Sequence, residues 1–498
     1  MTLKHLLVSA GVTPVEVLSD AQISGIQNDS RKIEASGLFV CMPSTNRPSE
    51  AYIPQAKAAG AVAALVHSRE GMELAAKEGI AAALIPHSGH SFEDAIWRIC
   101  DQFFEHPTRT MKVVGITGTN GKTTTAWLLR DMFSALDVPC AYLGTLGLHF
   151  GEEQRVLENT TPFAVELYNL LAEIRNAGVE ALAMEVSSHA LAQLRVDGVE
   201  FDAGVFTNLT QDHLDFHGDM DAYAEAKHRL FTVLPTQTQK RFVGAFNVDD
   251  EHGARWALEQ NGPTVTYGIA DPEADLRGKP VQVRVDQIRM ILEYGYSQEV
   301  EIPLGGTYNV ENILSACAGM IALGYPLADV LHALPKVSRV PGRFEAIPNQ
   351  HEIGVIVDYA HTPDALEKLL ASVARLGPRR VITVFGCGGD RDRTKRPMMA
   401  HVASERSDVT VITSDNPRTE EPQEIVDEIR VGVVSGRSSV CILDRKAAID
   451  HAVRQAEPGD IVVIAGKGHE NYQIIGRTKH FMDDRLMAKE ALDRRGRS

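Results

Sequence analysis

Short apolar runs recur along this chain, each emptying into a polar loop and followed by a stretch whose apolar residues have helical spacing. Between about 106 and 335 the runs fall at 112–117, 181–186, 203–208, 242–247 and 264–267. Between about 336 and 498 they fall at 354–357, 380–385, 409–413, 439–443 and 461–465. Strands buried on both faces need continuous apolar runs, and their alternation with amphipathic helices predicts parallel sheets wrapped by helices. The first 105 residues carry a shorter version, with a strand over 37–42, a helix over 52–59 and alanine-rich strands at 61–66 and 81–85. Residues 281–302 alternate with period two instead, which predicts a β-ribbon at a sheet edge. The expected fold is α/β in three domains: a small N-terminal α/β binding module at 1–105, a central parallel sheet at 106–335, and a C-terminal Rossmann-like doubly wound sheet at 336–498.

Such sheets place ligands beyond the carboxyl ends of their strands, so the loops after the runs are where chemistry is expected. The loop Gly118-Thr119-Asn120-Gly121-Lys122-Thr123-Thr124 follows the run 112–117 and opens a helix. Successive backbone N–H groups at such a turn hold polyphosphate oxygens at a helix N-terminus. Lys122 would neutralise the β/γ-phosphates, and the Thr123 hydroxyl would reach a bridging Mg²⁺. Ile116 stands where the strict phosphate-loop pattern has glycine, so this is a variant loop. The other candidate exits of the central sheet are 185–189, 207–213 and 247–250. In the third domain 358–361, 386–391, 415–418 and 466–470 leave one sheet edge, which implies one site.

Taken singly, these residues differ in what they say. Glu185 ends an apolar strand about 60 residues beyond the phosphate loop, where a second magnesium-directed carboxylate is expected. A solvent-facing strand end is the bland alternative. His213, between Asp212 and Leu214, could cap a turn or fill a satisfied core site. Lys227 reads as an ordinary lysine on an exposed helix face, with no role by spacing alone. Arg391, Arg393, Lys395, Arg396 and Arg418 gather cationic donors suited to a carboxylate-bearing substrate.

Composition narrows the classes. A length of 498 residues exceeds one ordinary domain, and 44% hydrophobic with 23% charged residues fits globular material throughout. A net charge of −16 with no long basic stripe argues against non-specific nucleic-acid binding, so anionic ligands must be held by loops, helix ends and single arginines. Six cysteines without a C-x-x-C pair read as reduced thiols of a cytoplasmic protein. No apolar run is long enough to span a membrane, and the N-terminus lacks the apolar core of a signal peptide. The expected partners are small molecules, with no nucleic acid, no membrane and a monomeric chain.

The phosphate loop, Glu185-Val186-Ser187-Ser188-His189, the stretch 207–215, Tyr223-Ala224-Glu225-Ala226-Lys227, Asn309-Val310-Glu311-Asn312, Val340-Pro341-Gly342-Arg343-Phe344 and Asp358-Tyr359-Ala360-His361 occur in this order. Over nearly the whole chain they resemble the Mur ligase family, ATP-dependent amide-forming enzymes of peptidoglycan precursor synthesis. Asp415-Asn416-Pro417-Arg418 matches the form of members that add meso-diaminopimelate to UDP-N-acetylmuramoyl-L-alanyl-D-glutamate, and lysine-adding relatives lack that arginine. The resemblance implies that Gly118 to Thr124, Asn309, Arg343 and Asp358 contact ATP. It implies that Asn28, Ser30, Thr45, Asn46 and Arg47 hold the uridine diphosphate end, and that Asn159, Thr160, Thr161, Ser187, Gln193 and Arg195 bind the muramoyl dipeptide. Arg391, Asp415, Asn416, Pro417, Arg418, Gly466 and Glu470 would hold meso-diaminopimelate. Lys122, Glu185, His213 and Lys227 form the implied catalytic set. Thr123 and Glu185 would take a first Mg²⁺. His213 and Lys227, the latter as N6-carboxylysine formed with CO2 or bicarbonate, would take a second. The rival expectations are an L-lysine-adding member, folylpolyglutamate synthetase, and a nucleotide-dependent switch that forms no bond.

Overall fold

A computed structural model of the chain describes residues 1–43 and 48–495. Contacts divide it into two compact units, one of residues 1–276 with 314–330 and one of residues 277–313 with 331 onward.

The first unit holds two sheets. In the smaller, the order is Glu16–Val17, Ala81–Leu84, Ala61–Val66, Gly37–Val40, Gly25–Gln27, parallel except for Glu16–Val17. In the larger, Thr264–Gly268, Val243–Asn247, Ala203–Phe206, Lys112–Thr117, Ala181–Glu185 and Cys140–Gly144 run parallel in that order. Gly147–Phe150 and Glu153–Arg155 extend it antiparallel. One apolar core joins both sheets: Ile26, Leu38 and Leu65 of the smaller, Phe92, Ile96 and Trp97 of the helix Ser91–Phe103, and Leu167 and Leu171 of the helix Ala164–Asn176. The central strand Lys112–Thr117 is followed by a chain segment that crosses to one side of the sheet and then to the other. Its exit loop therefore sits at the point where strand order reverses, with Glu185 on one flank and Thr207 on the other.

The second unit contains an antiparallel ribbon, Leu276–Val283, Ile288–Tyr294 and Tyr296–Ile302. Its six-stranded sheet has the order Glu345–Ala346, Gly354–Asp358, Ile461–Ala465, Val381–Phe385, Val409–Ile412, Ser438–Cys441, parallel except for the first. Apolar layers cover both faces of this sheet, as the continuous runs predict.

The ten strand runs of the two larger sheets lie where the pattern places them, within a residue or two at each end, and 281–302 belongs to a three-stranded ribbon. Five strands escaped the pattern in the first unit: Glu16–Val17, Gly25–Gln27, Cys140–Gly144, Gly147–Phe150 and Glu153–Arg155. Cys140–Gly144 is short and follows Pro139, while Glu153–Arg155 is exposed at every position and has no apolar signature. The hairpin Tyr472–Ile475 with Thr478–Phe481 escaped for the same reason, its second strand being wholly exposed. Among the described residues no helix is long and apolar enough to cross a membrane. All six cysteines are free, five of them buried.

Trp256 is 1% exposed, stacks on the His228 ring at 4.5 Å and 8°, and meets Phe206 at 4.5 Å. Trp256→Ala should remove about 3–5 kcal/mol of stability. The check is thermal or urea unfolding followed by circular dichroism, and a midpoint equal to that of the unaltered chain would contradict this packing account.

Candidate active site

The glycine loop is braced by the neighbouring strand exit. Thr119 N donates to Asn208 O at 2.8 Å, Asn120 N donates to Asn208 Oδ1 at 3.0 Å, and Thr207 Oγ1 donates to Asn120 O at 2.7 Å. Gly118 has φ 145°, and a Cβ there would lie 1.9 Å from Thr207 Oγ1, so only glycine fits. Gly121, at φ 89°, caps the helix Lys122–Ala135 in the left-handed region. The Lys122 ammonium donates to Gly118 O and Thr119 O at 2.8 and 2.9 Å, folded over its own loop at the helix N-terminus. Thr124 is buried behind the loop.

Glu185 is a buried carboxylate, 1% exposed, rather than a solvent-facing strand end. Its Oε1 accepts from Tyr142 OH at 2.5 Å and Thr145 N at 2.8 Å, and its Oε2 accepts from Thr123 Oγ1 at 3.0 Å and Thr145 Oγ1 at 3.2 Å. All four donors are neutral, and they set both carboxylate oxygens beside the hydroxyl of Thr123. That hard-oxygen pair beside a phosphate loop fits a small divalent cation that retains waters and phosphate oxygens among its ligands. Among the described residues no group of three His, Cys, Asp or Glu side chains could hold a metal ion alone. Tyr142 and Thr145 were invisible in the sequence because the strand Cys140–Gly144 was.

Lys227 overturns the reading of an exposed helix face: it is 1% exposed. The helix Met220–Thr232 turns it inward, where Nζ donates to Gly118 O at 2.8 Å and lies 4.5 Å over the Tyr223 ring. Burial first, and the Lys122 charge second, push its amine well below the usual lysine range. A neutral amine is the form that adds CO2, so this environment fits a carbamate. His213 has φ 53°, and its ring lies 4.8 Å from His189 and 6.1 Å from Tyr223. Burial lowers its pKa, and His189 is pushed down to about 4 by burial and by His213. Both imidazoles are therefore neutral at pH 7, the state a metal-ligating or accepting ring needs.

Next to Glu185 the chain gathers Thr160, Thr161, Ser187, Gln193 and Arg195. Thr161 Oγ1 donates to Glu185 O at 2.8 Å and accepts from Ser187 N at 3.2 Å, while Thr160 Oγ1 lies 3.1 Å from Thr145 Oγ1. Arg195 is stacked 3.8 Å over Phe163 and donates to Thr161 O at 2.8 Å and to Gln193 Oε1 at 2.6 and 2.9 Å. Burial lowers its pKa to about 10, and among the described residues no carboxylate pairs with it. Asn159 is half-buried on the same approach. Asn28 and Ser30 follow the strand Gly25–Gln27, with Ser30 buried. Thr45, Asn46 and Arg47 lie outside the described residues. The exit at 247–250 is committed to structure through Asp249 and Asp250. Asp249 accepts backbone N–H groups of 269–271, and Asp250 caps the helix Glu251–Glu259 and accepts from Leu209 N.

In the second unit Asp358 is buried at a strand end, accepting from Phe344 N at 2.7 Å, Ala360 N at 2.8 Å and Tyr308 OH at 3.3 Å. Burial raises its pKa. Arg343 lies 4.9 Å over the Tyr359 ring. Asn309 is wholly buried, with Nδ2 donating to Gly305 O at 2.6 Å and Oδ1 accepting from Asn312 Nδ2 at 2.8 Å, so its amide braces its own loop.

The four loops of 358–361, 386–391, 415–418 and 466–470 do share one sheet edge, but the cationic cluster is not uniform. Arg396 is fully buried and forks onto Glu420 at 2.8 and 2.9 Å and onto Glu428 at 2.8 Å, so it is a structural cation. Arg393 pairs with Glu428 and Lys395 donates to His361 O. Arg391 is exposed. Arg418, at φ 51°, donates through NH1 to Gly389 O at 2.8 Å and, like Arg195, has no carboxylate partner among the described residues. Asn416, two residues before Arg418 on this loop, donates through Nδ2 to Glu470 Oε2 at 3.0 Å, which ties in a carboxylate of the loop 466–470. Asp415 and Pro417 are buried, and a Cβ at Gly466 would lie 3.0 Å from Asp415 Oδ2.

Comparison with known proteins agrees with this anatomy. The Mur ligase middle domain matches residues 116–320, and the Mur ligase, glutamate ligase domain matches residues 342–468. A protein of Geobacter metallireducens, called UDP-N-acetylmuramoyl-L-alanyl-D-glutamate--2,6-diaminopimelate ligase, is 41% identical over 93% of both chains. One of Gloeobacter violaceus with the same name is 42% identical over 99% of both. A solved structure of an enzyme of that name is 34% identical, covers 96% of each chain and superposes with a TM-score of 0.68. The chain belongs to the Mur ligase family.

Proposed function

We propose that this chain is an ATP-dependent amide ligase that joins meso-2,6-diaminopimelate to the D-glutamate γ-carboxylate of UDP-N-acetylmuramoyl-L-alanyl-D-glutamate. The observation that carries the acceptor is the loop pair in which Arg418, with no carboxylate partner among the described residues, follows Asn416, which contacts Glu470. A diamino acid with a distal carboxylate offers a match to both: its carboxylate to the guanidinium fork and an ammonium to Glu470. Relatives of that name at 41–42% identity support the same reading. The domains are assigned as 1–105 for the UDP substrate, 106–335 for ATP and 336–498 for the amino acid. The rival folylpolyglutamate synthetase reading has no use for this arginine.

The reaction begins with two anions, the γ-carboxylate and the ATP γ-phosphate. A carboxylate oxygen attacks phosphorus, the bond to the β-phosphate oxygen breaks, and ADP leaves an acyl phosphate. The diaminopimelate amine then attacks the acyl carbon, and the tetrahedral intermediate collapses to the amide with loss of phosphate and a proton. Lys122, above Gly118 and Thr119, places a fixed cation at the transferring phosphate, and the loop N–H groups hold its oxygens without reorganising. Arg195, flattened on Phe163 with its carbonyl partners set, binds and orients the carboxylated dipeptide end. Mg²⁺, when bound, supplies charge neutralisation between the phosphates and the carboxylate. Thr123 and Glu185 would hold one ion, and His213 with carbamylated Lys227 a second. Carbamylation adds CO2 to the neutral Lys227 amine, forming an N–C bond and releasing one proton. Because its pKa is lowered, the reactive neutral form is present at neutral pH, where an ordinary lysine is almost entirely protonated.

Three outcomes are expected. ATP-dependent phosphate release with the muramoyl dipeptide and Mg²⁺ should occur with meso-diaminopimelate and not with L-lysine. Preference for lysine would overturn the acceptor assignment, and silence with both, with release on a folate substrate, would favour the rival. Gly118→Ala should weaken ATP binding about tenfold or more, read by titration, because its methyl group cannot coexist with Thr207 Oγ1. CO2-depleted buffer should lower turnover and bicarbonate should restore it, while Lys227→Arg should be inactive and indifferent to bicarbonate. A bicarbonate-independent parent retaining full activity would exclude the carbamate.

A further inference from the structure

The amino-acid loops of the second unit converge on a cation that the acceptor reading leaves unused. Lys467 is 0% exposed, and its Nζ lies 3.2 Å from Asn416 Oδ1 and 3.1 Å from Glu470 Oε2, with the Tyr472 ring centroid 5.5 Å away. Asn416 Oδ1 also accepts from Ile474 N at 2.9 Å, and Asn416 Nδ2 donates to Glu470 Oε2 at 3.0 Å. The strand Tyr472–Ile475 reinforces the arrangement: Gln473 Nε2 donates to Asp415 O at 2.6 Å, Arg418 N donates to Ile474 O at 3.0 Å, and Gly476 N donates to Arg418 O at 2.7 Å.

Two donors therefore occupy one oxygen of Glu470, and among the described residues none reaches the other. A carboxylate fixed in this way cannot rotate, so Oε1 has a set direction. Removing the Lys467 charge would leave Asn416 Oδ1 with one donor, Glu470 Oε2 with one donor, and a partly buried carboxylate without its counter-ion, which is costly.

We infer that Lys467 is a positioning residue for the amine-bearing acceptor: it locks Glu470 and Asn416 so that Glu470 Oε1 is presented to the acceptor ammonium from the loop facing that of Asn416 and Arg418. The inference rests on the proposed acceptor chemistry and names the group that sets its geometry. Lys467 does not touch the acceptor. Its neighbours do, and the strand Tyr472–Ile475, which has no role in the nucleotide chemistry, holds the same loop from the other side.

The test uses the full chain, with Lys467→Met, which removes charge and donors, and Lys467→Gln, which keeps a donor. KM is measured separately for meso-diaminopimelate, ATP and the muramoyl dipeptide, with ADP binding as the check on folding. Lys467→Met should raise the meso-diaminopimelate KM about tenfold or more, the scale of one charge-assisted hydrogen bond, with the other two within about twofold. Lys467→Gln should fall between it and the parent, and carries the test alone if the Met variant does not fold. An unchanged meso-diaminopimelate KM in either folded variant, or an equal rise for all three substrates, overturns the positioning role. An unaltered chain that does not use meso-diaminopimelate overturns the acceptor assignment itself, and this inference with it.

Discussion

A carboxylate and an amine, Glu185 and Lys227, are each buried to 1% exposure against the same glycine loop without forming a salt bridge. Burying ionisable groups costs several kcal/mol each unless the surroundings compensate. The two are accommodated differently. Glu185 receives four hydrogen bonds from Thr123, Tyr142 and Thr145. Lys227 meets the Gly118 carbonyl and a ring face, and burial pushes its amine well below the usual lysine range. Both solutions depend on the position of the loop backbone, which Thr207 and Asn208 fix from the adjacent strand. The order of the parallel strands is thus what allows a hydrogen-bonded buried carboxyl group and a buried amine to flank one phosphate-binding turn.

In the second unit the same edge of the sheet is held by buried ion pairs. Arg445 is fully buried, forks onto Asp484 at 2.6 and 2.8 Å and donates to Ala465 O, tying one strand end to the C-terminal helix. Arg396 does the same between Glu420 and Glu428, and holds the Glu420 carboxyl well below its usual range. Breaking one partner of such a pair is worth about 3–5 kcal/mol, far more than a surface contact. What they restrain is backbone under strain: Asp390 and Arg418 have φ values of 53° and 51°, a region non-glycine residues seldom enter. Arg418 is kept there by backbone hydrogen bonds to Ile474 and Gly476, and its guanidinium donates to Gly389 O.

The fold was legible in the sequence wherever a strand is buried on both faces, since continuous apolar runs record that burial directly. Exposed or half-exposed antiparallel strands such as Glu153–Arg155 and Thr478–Phe481 leave no such record. The glycine loop and Glu185 were legible because each follows a run. Lys227 was not, because helical periodicity around it does not distinguish a lysine turned toward a loop from one turned to water, and only tertiary placement decides. Arg396 misled in the reverse sense. Its charge is visible in the sequence, but Glu420 and Glu428, which neutralise it, are supplied by a segment beyond the next strand, Val409–Ile412.

The pairing of arginines sorts scaffold from site in a way that sequence cannot. Arg229, Arg380, Arg396 and Arg445 all reach carboxylates, and each ties two segments of its own unit. Among the described residues, Arg195 and Arg418 reach only carbonyl or amide oxygens. In a chain with a net charge of −16, acidic side chains are abundant, so a half-buried guanidinium without one has kept its strongest interaction in reserve. Glutamate and aspartate are replaced at these two places by neutral acceptors that orient the fork without satisfying its charge. An anionic substrate group that displaces little water and meets no competing carboxylate gains the full charge-assisted pair, which is how an acidic protein can select acidic small molecules.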